Sequence, residues 1–340
     1  MLKPLLFFLF LLTGTLSFAQ IQRGDRLLSS DATGSGFGPI PSTLGGGNVS
    51  VTTEPGTMTA QYAATYGQAV LDRLMVGVGV NGYYSYQSEF SGGYTLSPFA
   101  RYYFLNRERL MVFGQVGSSL NNGPGQSVRA FDRLSLAAGL HLPVAQDVFF
   151  TPRLEYTALE GRNIFGVGAG LDIRLRDSED GEKAIGRVAE GQIMLGAESA
   201  GLGFRRNSVS GSFRVGGHYF LTDRLAAGVR LGAGFSRYDP EITGYNLRSS
   251  NLDLGASARY YFNNERHVLW FAEAGGGRAW QTNRIAGDPS SFNFSYLSAG
   301  GGAQIFLRER VSLEVAPQLD YNFATEKLGA GLKFGFRFSL

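Results

Sequence analysis

Leu328-Gly-Ala-Gly-Leu-Lys-Phe-Gly-Phe-Arg-Phe-Ser-Leu340 decides how the rest of the chain is read. Taken alternately, Leu328, Ala330, Leu332, Phe334, Phe336, Phe338 and Leu340 fall on one side. Gly329, Gly331, Lys333, Gly335, Arg337 and Ser339 fall on the other. Successive side chains of a β-strand point to opposite faces, so the stretch is an apolar wall backed by glycine and charge. A bilayer is crossed by about 10 residues of tilted strand, and this segment is long enough.

The same alternation recurs with charge on the same parity. Phe165, Val167, Ala169, Leu171, Ile173 and Leu175 oppose Gly166, Gly168, Gly170, Asp172, Arg174 and Arg176; Ala227 to Phe235 and Leu252 to Phe262 repeat the design. Glycine contributes no apolar burial and unpaired buried charge is costly, so the glycine face is no packed soluble core. It suits the inside of a narrow barrel, where opposite charges pair and glycines make room for long side chains. The apolar walls then face lipid, with Phe334, Phe336, Phe338 and Leu340 as the lipid-facing set of the last strand. Tyr84, Phe104, Phe150, Tyr219, Phe262, Trp270, Phe336 and Phe338 lie near strand ends, as interfacial girdles require. The competing reading is a secreted, soluble all-β protein with a two-sided sheet.

Composition agrees with the membrane reading. Glycine makes up 48 of 340 residues, aromatics 13% and charged residues only 17%, unlike an average soluble protein. Lys3, the apolar run Leu5 to Leu12 and Ser17-Phe18-Ala19 have the layout of a secretory signal cleaved near Ala19. That run is too short to span a bilayer, and no later run is long enough for a membrane helix. The chain has no cysteine, which excludes disulfides, thiolate metal sites and lipidation at cysteine. A scattered net charge of +3 does not suggest nucleic acid.

The mature chain is a duplication. Asp72-Arg73-Leu74 returns as Asp223-Arg224-Leu225, Ala100-Arg101-Tyr102-Tyr103-Phe104 as Ala258-Arg259-Tyr260-Tyr261-Phe262, and Leu154-Glu155-Tyr156 as Leu319-Asp320-Tyr321. Each half divides into eight strands. The first half reads Asp25–Gly34, Thr57–Val70, Leu74–Tyr86, Tyr94–Leu105, Leu110–Leu120, Arg129–Leu142, Val148–Leu159 and Ile164–Arg176. The second reads Gly191–Ala200, Val209–Leu221, Leu225–Ser236, Leu252–Phe262, Val268–Ala279, Phe294–Phe306, Val311–Asn322 and Leu328–Leu340. Tight turns alternate with longer connections rich in Gly, Ser, Asn and Pro, the asymmetry of outer-membrane barrels. The expected organisation is a signal peptide at 1–19, a first barrel unit at 20–177, a periplasmic linker at 178–186 and a second barrel unit at 187–340.

On Ala-Arg-Tyr-Tyr-Phe, the Asp-Arg-Leu turn, Phe271-Ala272-Glu273-Ala274-Gly275 and the aromatic last strand, each half resembles the small outer-membrane β-barrel family of the OmpA/OmpX/PorT type. The resemblance implies the outer membrane of a Gram-negative bacterium, outer-membrane lipid as surroundings and the barrel-assembly machinery as a partner during insertion. One departure concerns the assembly signal: the chain ends in Leu340, with Phe338 two residues before it.

The fold expected is therefore all-β, a transmembrane antiparallel barrel protein of sixteen strands. Two tandem eight-stranded barrels suit the inward charges and glycines, because a filled narrow interior pairs them better than a wide channel. One sixteen-stranded barrel is the alternative. Candidate interior ion pairs come from Arg101, Arg230, Arg259 and Arg337 with Glu155, Glu273, Glu314 and Asp320, all on inward parity. Gly77 to Gly82 matches GxGxxG, but the chain continues as a strand where a cofactor site needs a helix N-terminus. His141 and His218 point inward and His267 borders a turn, none beside an evident serine and carboxylate. No catalytic, cofactor or metal site is expected. The function expected is a non-enzymatic envelope role, structural or surface-binding through external loops. A passive diffusion pore follows if sixteen strands enclose one lumen, and the sequence names no external ligand.

Overall fold

A computed structural model describes residues 20–29, 49–54, 57–86, 90–107, 109–122, 129–145, 147–159, 162–175, 184–196, 200–205, 208–238, 247–285 and 288–340. The signal segment 1–19 and most of the linker lie outside these residues. The strands are β1 (Arg26–Ser29), β2 (Val49–Glu54), β3 (Thr57–Leu71), β4 (Leu74–Tyr86), β5 (Phe90–Arg107), β6 (Leu110–Asn122), β7 (Arg129–Ala145), β8 (Val148–Leu159) and β9 (Arg162–Leu175). They continue with β10 (Gly186–Arg187), β11 (Ile193–Gly196), β12 (Ala200–Arg205), β13 (Ser208–Phe220), β14 (Leu225–Tyr238), β15 (Leu247–Tyr261), β16 (Glu265–Arg266), β17 (Val268–Ile285), β18 (Asp288–Arg308), β19 (Val311–Asn322) and β20 (Lys327–Ser339).

Two eight-stranded antiparallel barrels close at the end that carries the tight turns. In the first, β1 joins β3 (Arg26 opposite Gln68) to β9 (Arg26 opposite Leu175). In the second, β11 joins β13 (Met194 opposite His218) to β20 (Met194 opposite Ser339). Toward the loop end the partners change. β2 pairs with β3 but also with β20, Val49 to Thr53 against Phe334 to Ala330. β12 pairs with β13 but also with β9, Ala200 to Arg205 against Ala169 to Ile164. The ring there runs through β2, β3 to β9, β12, β13 to β15 and β17 to β20, sixteen strands among the described residues. The protein is thus two barrels at its base and one wide ring at its mouth.

Two of the expected strands change partner toward the loop end. Of the stretch Asp25–Gly34, Arg26–Ser29 is a strand and 30–34 lies outside the described residues, and a separate β2 supplies the loop-end pairing. Of Gly191–Ala200, Ile193–Gly196 is a strand beside β20 and 197–199 lies outside the described residues, while Ala200–Arg205 pairs with a different neighbour, β9. Hairpin chemistry is where the sequence put it: Leu71 faces Leu74 across Asp72-Arg73, with Arg73 at φ 80.

The faces follow the alternation. Phe104, Leu154, Val229 and Trp270 point outward and are exposed, Val229 to 73%, forming an apolar exterior of the kind a bilayer covers. Phe338 is different. It is only 4% exposed and packs with Val311, Leu195 and Phe336 against Val144, Val148, Leu171 and Ile173 of the first barrel. Its parity is outward, as expected, but the sister barrel rather than lipid lies opposite. Phe336 is likewise partly buried in this seam, Leu340 is 43% exposed, and the side chain of Phe334 lies outside the described set.

A short turn repeats beneath each barrel. Gly24 (φ 93) and Gly191 (φ 81) occupy the left-handed region that glycine enters without strain. Their amides donate to the carbonyls of Ala69 and Phe220, both at 2.9 Å. The preceding amides of Arg23 and Glu190 donate to Asp72 Oδ1 and Asp223 Oδ1, both at 3.0 Å. Before the second turn, β10 pairs with β16, and the Ala184 carbonyl lies 3.0 Å from His267 Nδ1.

Candidate functional site

The interior of each barrel is built in layers. The first barrel has an apolar floor of Ile21, Leu27, Met75, Tyr103, Met111, Phe113 and Phe149. Ile21 is held there by Asn106, whose Oδ1 accepts the Ile21 amide at 2.9 Å and whose Nδ2 donates to the Ile21 carbonyl at 2.8 Å. Just above, Arg101 donates to Asp172 Oδ2 at 3.1 Å and to Gln115 Oε1 at 2.9 Å. Its guanidinium lies 4.2 Å from the Phe113 ring centre, and His141 Nε2 is 2.8 Å from the same carboxylate. Higher still, Arg153 pairs with Glu155.

The second barrel repeats the floor with Val188, Met194, Phe220, Tyr261, Leu269, Phe271 and Phe306. Arg259 bridges two carboxylates above it. It donates to Glu314 Oε2 at 2.5 Å and to Glu273 Oε2 through Nε at 2.6 Å. Arg337 donates twice to Glu314, each at 3.1 Å. Arg259 lies 4.0 Å from the Phe271 ring centre, as Arg101 lies on Phe113. A layer higher, Arg230 donates to Asp253 at 3.1 Å and to the Tyr296 hydroxyl. Asp320 accepts from Gln318. Burial makes such ions costly unless they are paired and hydrogen-bonded; Arg101 with Asp172 and Arg259 with Glu314 meet that condition, whereas Asp253 Oδ2 is buried without a partner among the described residues.

A cavity of about 70 Å³ sits among His218, Ser257, Arg259, Glu273, Tyr296 and Glu314. It brings a serine and a carboxylate to a histidine, which the sequence did not reveal. Ser257 Oγ is 3.3 Å from His218 Nε2, and Glu273 Oε2 is 3.6 Å from the same nitrogen. A nucleophile relay needs serine and carboxylate on opposite ring nitrogens. His218 Nδ1 is buried without a protein partner. The three groups therefore form a polar cluster and not a relay.

Of the expected ion-pair residues, Arg259, Glu273, Glu314 and Arg337 meet in one cluster. Arg101, Glu155, Arg230 and Asp320 are spread over both barrels with other partners. Asp172, Arg153 and Asp253 complete pairs that the sequence left unassigned; their inward parity was the available signal. The duplication exposes a difference between the layers. Arg101, Tyr103, Phe113 and Gln115 correspond to Arg259, Tyr261, Phe271 and Glu273 at an offset of 158 (259 − 101), whereas Asp172 corresponds to Arg337 at an offset of 165 (337 − 172). The last strands bring opposite charges to equivalent places.

No protein-family model matches the chain, and no curated protein matches it. Solved structures that it resembles are outer-membrane β-barrels. The N-terminal β-barrel domain of Pseudomonas aeruginosa OprF is 18% identical with a TM-score of 0.26, covering 44% of this chain and 98% of that one. Ail, the attachment invasion locus protein of Yersinia pestis, is 12% identical with a TM-score of 0.30, covering 44% and 99%. Acinetobacter baumannii Omp33 is 12% identical with a TM-score of 0.30, covering 94% and 100%. Likeness at that level carries no argument for this chain, whose fold rests on its own strand pairing.

Proposed function

We propose that this is an integral outer-membrane protein of a Gram-negative bacterium with a non-enzymatic role in the envelope, acting through the loop-end mouth. The signal segment is removed near Ala19, so that the mature chain begins at Gln20, whose carbonyl accepts from Arg174 at 2.7 Å. Insertion relies on the barrel-assembly machinery, with the turns in the periplasm and the loops outside. The units of the mature protein are 20–177 and 187–340, joined by 178–186.

One observation carries this reading. Each barrel has an apolar floor beneath a buried ion-pair layer, so a solute entering the mouth meets two sealed bases. A surface role follows more directly from a closed cup than from a channel. The mis-set geometry around His218 supports the non-enzymatic assignment. A passive pore is the second reading, favoured by the sixteen-stranded ring at the mouth. Planar-bilayer recording separates the two. The sealed cup predicts no stable conductance steps of wide-channel size; such steps in the intact protein would establish the pore.

A further inference from the structure

We propose that the mouth changes width by exchanging strand partners between its two seams, passing between one sixteen-stranded ring and two separate eight-stranded mouths. The proposal rests on the membrane-barrel reading but not on the sealed cup.

The seams cross at equivalent points. On β9, pairing with β1 ends at Asp172 and pairing with β12 starts at Ala169. On β20, pairing with β11 ends at Arg337 and pairing with β2 starts at Phe334. Both pairs of positions differ by 165, the offset between Leu154 and Leu319 (337 − 172, 334 − 169, 319 − 154). Each loop-end strand thus lies against the last strand of the other unit at the place where its own last strand offers a counterpart.

Exchange conserves the backbone pairing. Val51 now faces Leu332, and Leu202 faces Val167. Moved by 165, Val51 faces Val167 and Leu202 faces Leu332, and each barrel closes on itself to its rim. Swapping an element between equivalent partners costs little, because bonds lost in one seam are regained in the other. The receiving strands share their backbone register and, at their middle, Gly166-Val167 against Gly331-Leu332, while Phe165, Gly168 and Ala169 stand where Ala330, Lys333 and Phe334 stand. Immediately below the crossing the two strands are not interchangeable. Asp172 and Arg337 have opposite charges, each paired in its own barrel, so the bases stay closed while the mouths trade. A ligand that fills only the wide ring shifts the population toward it.

The chain has no cysteine, so cross-linking reads the partners directly. The full-length protein carrying Val51→Cys, Leu202→Cys and Leu332→Cys is folded into vesicles, oxidised and mapped by proteolysis. The thiol at 332 can join 51, reporting the wide ring, or 202, reporting separate mouths. Both products are expected. Folded molecules joined through 51 and 332, once reduced and reoxidised without unfolding, are expected to yield the second product. A single product, or none of the second after reoxidation, overturns the exchange. A second variant, Val51→Cys, Leu202→Cys and Val167→Cys, asks the same of the other seam should the first not fold. Bilayer conductance is a separate measurement, so failure of either proposal is distinguishable from failure of the other.

Discussion

Glutamine at position 314 keeps the shape of glutamate and removes its charge. The Glu314 side chain is 6% exposed and accepts from Arg259 at 2.5 and 3.2 Å and from Arg337 at 3.1 Å twice. After Glu314→Gln, two guanidiniums remain in the layer and, among the described residues, Glu273 is the carboxylate left to them. Hydrogen bonds to charged groups contribute roughly 1.5–3 kcal/mol each, but a sum over four overshoots because the unfolded chain solvates the same groups. Breaking a buried ion pair by removing one partner costs about 3–5 kcal/mol, and that is the loss expected. Adding Arg337→Gln removes the surplus charge, so the double variant should lose less than the sum of the singles, with a coupling of about 1–3 kcal/mol. Reversible urea unfolding in lipid vesicles, followed by tryptophan emission, measures this. Both tryptophans, Trp270 and Trp280, lie on β17 of the second barrel, so the signal reports the affected unit. A loss below about 1 kcal/mol, or strict additivity, would mean that water in the cavity screens the charges and that the layer is not a buried ion network.

Phe338→Ala should cost about 3–5 kcal/mol if the residue is packed between the barrels, where its loss also leaves a cavity, whereas Phe104→Ala, on the outer face where lipid refills the space, should cost only the transfer of the ring out of water, about 1.5–3 kcal/mol. Equal losses by urea unfolding would return Phe338 to the lipid face. At Gly186 an added Cβ would lie 2.1 Å from the Phe306 ring, so Gly186→Val should displace the strand under the second barrel at about 1–3 kcal/mol. Limited proteolysis of the folded protein should then cut faster around 184–187, and unchanged protection would contradict the placement.

Barrel and duplication were legible because alternation and self-similarity are local properties of a chain. Gly166, Gly168 and Gly170 against Phe165, Val167 and Ala169 announce their faces without reference to any neighbour. What lies opposite a face is a tertiary fact. Phe338 reads the same whether acyl chains or Ile173 cover it, and only the packing decides. Val49–Glu54 was missed because it follows a glycine-rich stretch that reads as loop, and Ala200–Arg205 because Gly201 and Gly203 lower strand propensity. Both are held by pairing with a distant strand. Among the interior charges, parity showed which residues face inward, but the partner of Arg101 lies 71 residues away.

A gene that contains nearly the same barrel twice faces a sorting problem: the closing segment of either copy has the shape to finish the other. Here the opposed charges at Asp172 and Arg337 act as labels. Were β20 threaded into the first barrel, Arg337 would stand beside Arg101 with no carboxylate from that strand, while Asp172 would join Glu273 and Glu314 around Arg259. Like charges in a dry interior are strongly penalised, so a base closed by the wrong copy's last strand is the costlier assembly.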